Sequence, residues 1–103
     1  SRKKNKPSFS EMIDILFQEK YGELVGTKLN YTEFRTPLEI VAFIDNTSKT
    51  KVMKDTTALD LKLLYCLLTE QKQEVKGTKQ EVYEAIKRDI RAKKRGKAFL
   101  EFA

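Results

Sequence analysis

The side chains best suited to chemistry crowd toward one end of the chain. Lys87, Arg88, Arg91, Lys93, Lys94, Arg95 and Lys97 lie within eleven positions, against a single acid, Asp89. On a helix turning 100° per residue, Val82, Tyr83, Ile86 and Ile90 share an arc of about 100°. Lys87, Arg88, Arg91, Lys94 and Arg95 occupy the roughly opposite half. Such a helix docks by its apolar side and presents a basic ridge. Cationic groups at this density suit phosphate neutralisation, with affinity that falls steeply as salt rises.

A simpler force accounts for part of the cluster. Positive side chains near a helix C-terminus are favoured by the backbone dipole, by about 0.3 to 1 kcal/mol each and only within the last turn. These residues extend over three turns, so their mutual repulsion is better explained by an anionic partner. Beyond Ile90 no large apolar residue follows until Phe99. Lys93 and Lys97 sit where the docking face would continue, so the helix end is expected to project from the body.

A second basic group opens the chain, with Arg2, Lys3, Lys4 and Lys6 in residues 1–6. Residues 1–7 are read as a basic, flexible arm able to act as a second clamp. Residues 1–6 carry +4 and residues 87–97 carry +6, whereas residues 7–86 carry ten basic against thirteen acidic groups, or −3. A mildly acidic body with two basic ends points to nucleic acid or an acidic protein surface as partner, ahead of anionic lipid.

Other chemistries are poorly served. The chain has no histidine and one cysteine, Cys66, so a histidine general base, a structural zinc site and an internal disulfide are excluded. Its four glycines (22, 26, 77 and 96) are scattered, so no phosphate-cradling loop is formed. Asp55 with Asp60, or Glu81 with Glu84, could pair for acid–base or metal work. Helix-start electrostatics and surface solubility explain both pairs better. No cofactor and no metal are expected, and the chain is read as non-enzymatic.

Recognition of base sequence is less favoured than contact with the phosphate backbone. Residues 57–95 resemble two helices around a turn, but the interval 70–77 is long for a helix-turn-helix. The basic residues also come late in the last helix, and its start carries Glu81 and Glu84. Aromatic residues that could stack on bases are limited to Tyr31, Tyr83 and Phe99. The alternative function is a protein-interaction module, an inhibitor or adaptor docking the basic helix on an acidic partner.

The elements that must hold this ridge follow from periodicity and caps. With 103 residues the chain makes one domain, residues 8–103, which buries only a little over 60% of its potential surface. A surface-based function is therefore favoured over a deep pocket. Phe9, Met12, Ile13, Leu16 and Phe17 predict a helix from Ser8 to about Tyr21, with Ser8 and Glu11 as a capping box. Residues 26–35 read as a loop sending Leu29, Tyr31 and Phe34 inward. Thr36, Pro37 and Glu39 open a short helix through Leu38, Val41, Ala42 and Ile44. A strand over 40–44, turning into Lys51-Val52-Met53 as a hairpin, competes with it.

Thr57 and Asp60 then cap a leucine-rich helix, apolar around most of its circumference at residues 61–68. It is expected either as the centre of the core or as an exposed surface that forms a homodimer. Cys66 within it reads as a buried thiol. Thr78 and Glu81 box the start of the basic helix, and Gly96 is its expected stop, with residues 99–102 a short strand or folded-back tail. The fold class is mainly α, a small bundle of about four helices, with the hairpin in residues 40–54 as the α+β alternative. No apolar stretch approaches the roughly 20 residues of a membrane span. The opening residues lack signal-peptide character, so a cytoplasmic setting is expected.

Overall fold

A computed structural model describes the backbone of residues 8–102 and the side chains of residues 8–95. Among the described residues there are five α-helices and no strand. They are α1 (Phe9–Phe17), α2 (Pro37–Asp45), α3 (Lys49–Asp55), α4 (Ala58–Thr69) and α5 (Lys79–Phe102), with single 3₁₀ turns at Tyr21–Glu23 and Tyr31–Glu33. The fold is mainly α, as the sequence predicts, with one helix more than the expected four.

The hairpin reading is incorrect. Residues 49–55 form α3 instead, because the Ser48 hydroxyl accepts from the Lys51 amide at 3.2 Å and caps the helix start. Its far end is capped from a distance: the Lys79 ammonium donates to the carbonyls of Met53 and Thr56, at 2.5 Å each. A cation at a helix C-terminus satisfies carbonyls that have no partner within the helix.

The capping boxes form as predicted. Ser8 and Glu11 exchange bonds at 2.7 and 3.2 Å, Thr57 and Asp60 at 2.9 and 3.0 Å, and Thr78 and Glu81 at 2.7 and 3.1 Å. The box of Thr36 and Glu39 opens α2.

Two boundaries differ from the prediction. α1 stops at Phe17 rather than near Tyr21, because Glu19 turns into the left-handed region at φ 62°. The Lys20 amide then donates to the Ile15 carbonyl and the Glu19 amide to that of Leu16, a Schellman ending. α5 runs through Gly96 to Phe102 without stopping there. A glycine inside a helix costs only about 1 kcal/mol relative to alanine. The docked half of α5 has already nucleated the helix, so extension continues past it.

α4 is the centre. Leu61, Leu63, Leu64, Cys66 and Leu68 are buried, covered by Met12, Ile13 and Leu16 of α1, Ile40 and Ile44 of α2, and Val82, Tyr83, Ile86 and Ile90 of α5. The leucines of residues 61–68 are therefore spent on the chain's own core and present no exposed leucine surface for a dimer. In α2 the inward pair is Ile40 and Ile44, one turn apart, while Leu38 is 70% exposed rather than buried. No helix of the described residues is long and apolar enough to cross a membrane.

Candidate nucleic-acid interface

α5 joins the body in its first half and leaves it in its second. Besides the Lys79 contacts, Val82, Tyr83, Ile86 and Ile90 are each at most 4% exposed. Lys49 of α3 lies over the Tyr83 ring at 5.8 Å and pairs with Glu84 at 3.6 Å. From Arg91 to Arg95 every side chain is exposed. The helix has 24 residues, so at 1.5 Å per residue the part beyond Ile90 is about 18 Å long. The molecule measures 57 × 28 × 23 Å, elongated as a projecting helix requires.

The basic residues predicted as the binding surface fall into groups. Arg88, Arg91, Lys94 and Arg95 are exposed and Lys87 is half-buried, all on one helix. Lys97 lies on the helical backbone, and its side chain is outside the described residues, as are Arg2, Lys3 and Lys4 of the N-terminal arm. Lys94 meets Asp45, the last residue of α2, at 2.5 Å, and Lys93 lies 3.5 Å from Asp89. Among the described residues, Lys87, Arg88, Arg91 and Arg95 have no carboxylate within ion-pair distance.

The aromatic candidates for base stacking do not reach the surface. Tyr31 and Tyr83 are 2% and 4% exposed, and Phe99 has no described side chain. Tyr31 is buried because its hydroxyl has a specific acceptor, Asp60. Burial and that carboxylate raise its pKa well above the usual tyrosine value, and burial also raises that of Tyr83.

Asp60 does far more than cap α4, and the sequence concealed this. Fully buried, it accepts from the backbone amides of Lys28 (2.8 Å) and Thr57 (2.9 Å) and from the Tyr31 hydroxyl, with Leu29 more distant at 3.4 Å. Thr57 in turn donates to the Gly26 carbonyl at 2.9 Å. One carboxylate thus binds the loop before α2 to the start of the central helix. The Thr57–Asp60 spacing signalled the local half of this network. The loop half joins residues about thirty positions apart and left no sequence signal.

The other acidic pairs are accounted for by structure. Asp55 pairs with Lys51 at 2.9 Å, which lowers its pKa. Glu81 caps α5 and Glu84 faces Lys49. No cluster of three or more metal-ligating side chains occurs among the described residues. A cavity of ≈ 200 Å³ lies among Leu16, Phe17, Phe34, Pro37 and Leu67, rimmed by an Arg35–Glu19 pair at 2.7 Å. Another of ≈ 180 Å³ lies beside Cys66, Tyr65 and Val75. Both are smaller than the roughly 300 to 1,000 Å³ of small-molecule sites. The Cys66 thiol donates to the Gln73 carbonyl at 3.3 Å, and burial pushes its pKa up to about 11, so it is a poor nucleophile near neutral pH.

Comparison of the chain with protein-family models, curated proteins and solved structures gave no match.

Proposed function

We propose that the protein is a non-enzymatic nucleic-acid-binding accessory or regulatory protein that contacts the phosphate backbone through the outer side of α5. The observation that carries this reading is the stretch Arg91 to Arg95, where the helix leaves the body with every residue exposed and only Lys94 reaches back to it, to Asp45. A helix end that meets the body through Lys94 and Asp45 alone among the described ion pairs, and carries too few acids to balance its charge, gains little for the fold from its five cations, Arg91, Lys93, Lys94, Arg95 and Lys97. Phosphate contact supplies the missing neutralisation. A nucleic-acid partner implies an intracellular working site.

The test is fluorescence anisotropy of labelled duplex DNA, single-stranded DNA and structured RNA, titrated with the full chain at 100 and 200 mM salt. Micromolar or tighter binding with a steep salt slope is the expected result. Absence of binding to all three at 100 mM salt overturns the proposal and leaves an acidic protein surface as the partner for the ridge.

A further inference from the structure

The cations of α5 are not equivalent: Arg88, Arg91 and Arg95, with the half-buried Lys87, have no carboxylate partner among the described residues, whereas Lys93 and Lys94 each have one. Arg88, Arg91 and Arg95 stand at positions i, i+3 and i+7, within an arc of about 60° at 100° per residue. The centre of that arc lies about 160° from the centre of the docked face formed by Val82, Tyr83, Ile86 and Ile90. The three guanidinium groups therefore form a stripe about 10 Å long at 1.5 Å rise per residue, on the side of the helix turned away from the body. None has a described carboxylate partner.

Lys94 and Lys93 are differently placed. Lys94 is tied at 2.5 Å to Asp45, whose carboxylate ends α2. Lys93 is the described counter-charge of Asp89, whose Oδ2 is shut off from solvent without a hydrogen-bond donor. Drawing Lys93 away would leave that oxygen uncompensated. A phosphate that captured Lys94 would meet Asp45 beside it. Each pair is close to neutral as a unit, so neither lysine has much charge to offer a ligand.

We infer that the contact element is the stripe Arg88–Arg91–Arg95, that its ligand is the phosphate backbone of duplex DNA, and that Asp45 and Asp89 hold Lys94 and Lys93 out of the contact. This rests on the nucleic-acid reading above and adds the duplex form and the contacting residues. Guanidinium forks engage phosphate oxygens bidentately, which a lysine cannot do. A rigid duplex presents phosphates every 3.4 Å along each strand, in fixed register with a rigid row of arginines. An α-helix about 10 to 12 Å across enters the roughly 12 Å major groove of B-form DNA, whereas the major groove of A-form RNA is deep and narrow. Binding of single strands relies on stacking platforms, and no aromatic side chain is exposed among the described residues.

The experiment measures the dissociation constant of the full chain for a 20-base-pair DNA duplex between 50 and 200 mM salt, with single-stranded DNA and duplex RNA of the same sequence as comparison arms. Arg88→Ala, Arg91→Ala and Arg95→Ala are each expected to reduce the slope of log K against log salt by about 0.9. Lys93→Ala and Lys94→Ala leave it nearly unchanged. Asp45→Asn frees Lys94, tightens binding and adds to the slope. That substitution removes a carboxylate from a helix C-terminus and so does not endanger the fold. The triple Arg→Lys variant keeps most of the slope but binds severalfold more weakly.

Lysine variants that lose as much slope as arginine variants, or an Asp45→Asn variant that binds more weakly, overturn the stripe while the nucleic-acid reading stands. Tighter binding of duplex RNA or single-stranded DNA overturns the duplex-DNA assignment. No binding by the unaltered chain in any arm removes the nucleic-acid reading itself.

Discussion

Charge is handled in opposite ways at two places in this molecule. At the start of α4 a single carboxylate, Asp60, is fully buried and surrounded by donors from the loop, from Thr57 and from Tyr31. Along the outward side of α5, Arg88, Arg91 and Arg95 stand in solvent with no described counter-charge. A buried charge persists in a fold only when its hydrogen bonds are satisfied, so Asp60 belongs to stability. Exposed like charges in a row add nothing to the fold, and the proposed phosphate contact is placed on these arginines. Type and exposure together, more than charge density, separate the two groups.

The largest effect expected from this contrast is on stability. Asp60→Ala strips the acceptor from several buried donors and should lower the unfolding free energy by roughly 3 kcal/mol, read by urea denaturation. Nucleic-acid affinity of the fraction that remains folded should be unchanged. The triple Arg88→Ala, Arg91→Ala, Arg95→Ala variant should do the reverse, shifting stability by no more than about 0.5 kcal/mol while affinity collapses. Large stability loss in the arginine variant would show that the ridge is part of the folding unit, and the contrast would fail.

Tyr31→Phe is a finer cut at the same corner. It deletes one donor to a buried carboxylate, and hydrogen bonds to charged groups contribute about 1.5 to 3 kcal/mol. A loss near 2 kcal/mol is expected, smaller than that of Asp60→Ala because the amides of Lys28 and Thr57 still hold the carboxylate. An effect equal to that of Asp60→Ala would make the tyrosine, not the carboxylate network, the organising group.

What could be read from the sequence divides along the same line. Helix starts were legible because Ser8 with Glu11, Thr57 with Asp60 and Thr78 with Glu81 signal over three residues. The docked stripe of Val82, Ile86 and Ile90 was legible because helical periodicity is local. α3 was not: of its residues only Val52 is buried, and its end is closed by Lys79, more than twenty positions away. The end of α1 was hidden because a glutamate, Glu19, takes the left-handed position where glycine is the usual residue. The basic ridge was visible as a cluster, but the pairing that sets Lys94 apart from the arginines depends on Asp45, far along the chain in α2.

A pH profile tests the buried side further. The Cys66 thiol, ordinarily near 9.0, is pushed up to about 11 by burial. Between those values the unfolded chain ionises while the folded one keeps its proton. The stability contributed by the neutral buried thiol is thus complete below pH 9 and is lost as pH rises toward 11. Thermal melts from pH 8 to 11 should show Tm falling in the unaltered chain and falling less steeply in Cys66→Ala. Tyr31, also raised, adds its own loss above pH 10 and remains in that variant. Identical profiles would mean that the thiol reaches water in the folded state.

The smallest expected effect concerns Gly96, which α5 passes through where a helix end was predicted. Gly96→Ala should favour the helix locally by about 0.5 to 1 kcal/mol. Since the side chains from Arg91 to Arg95 touch no core, that gain should remain local. Hydrogen exchange should slow at the amides around position 96, while the global denaturation midpoint stays in place. Duplex affinity should rise slightly, because a helix end already ordered loses less freedom on binding. A matching rise in the global midpoint would place the distal half of α5 inside the cooperative unit, with the core rather than with the arginine stripe.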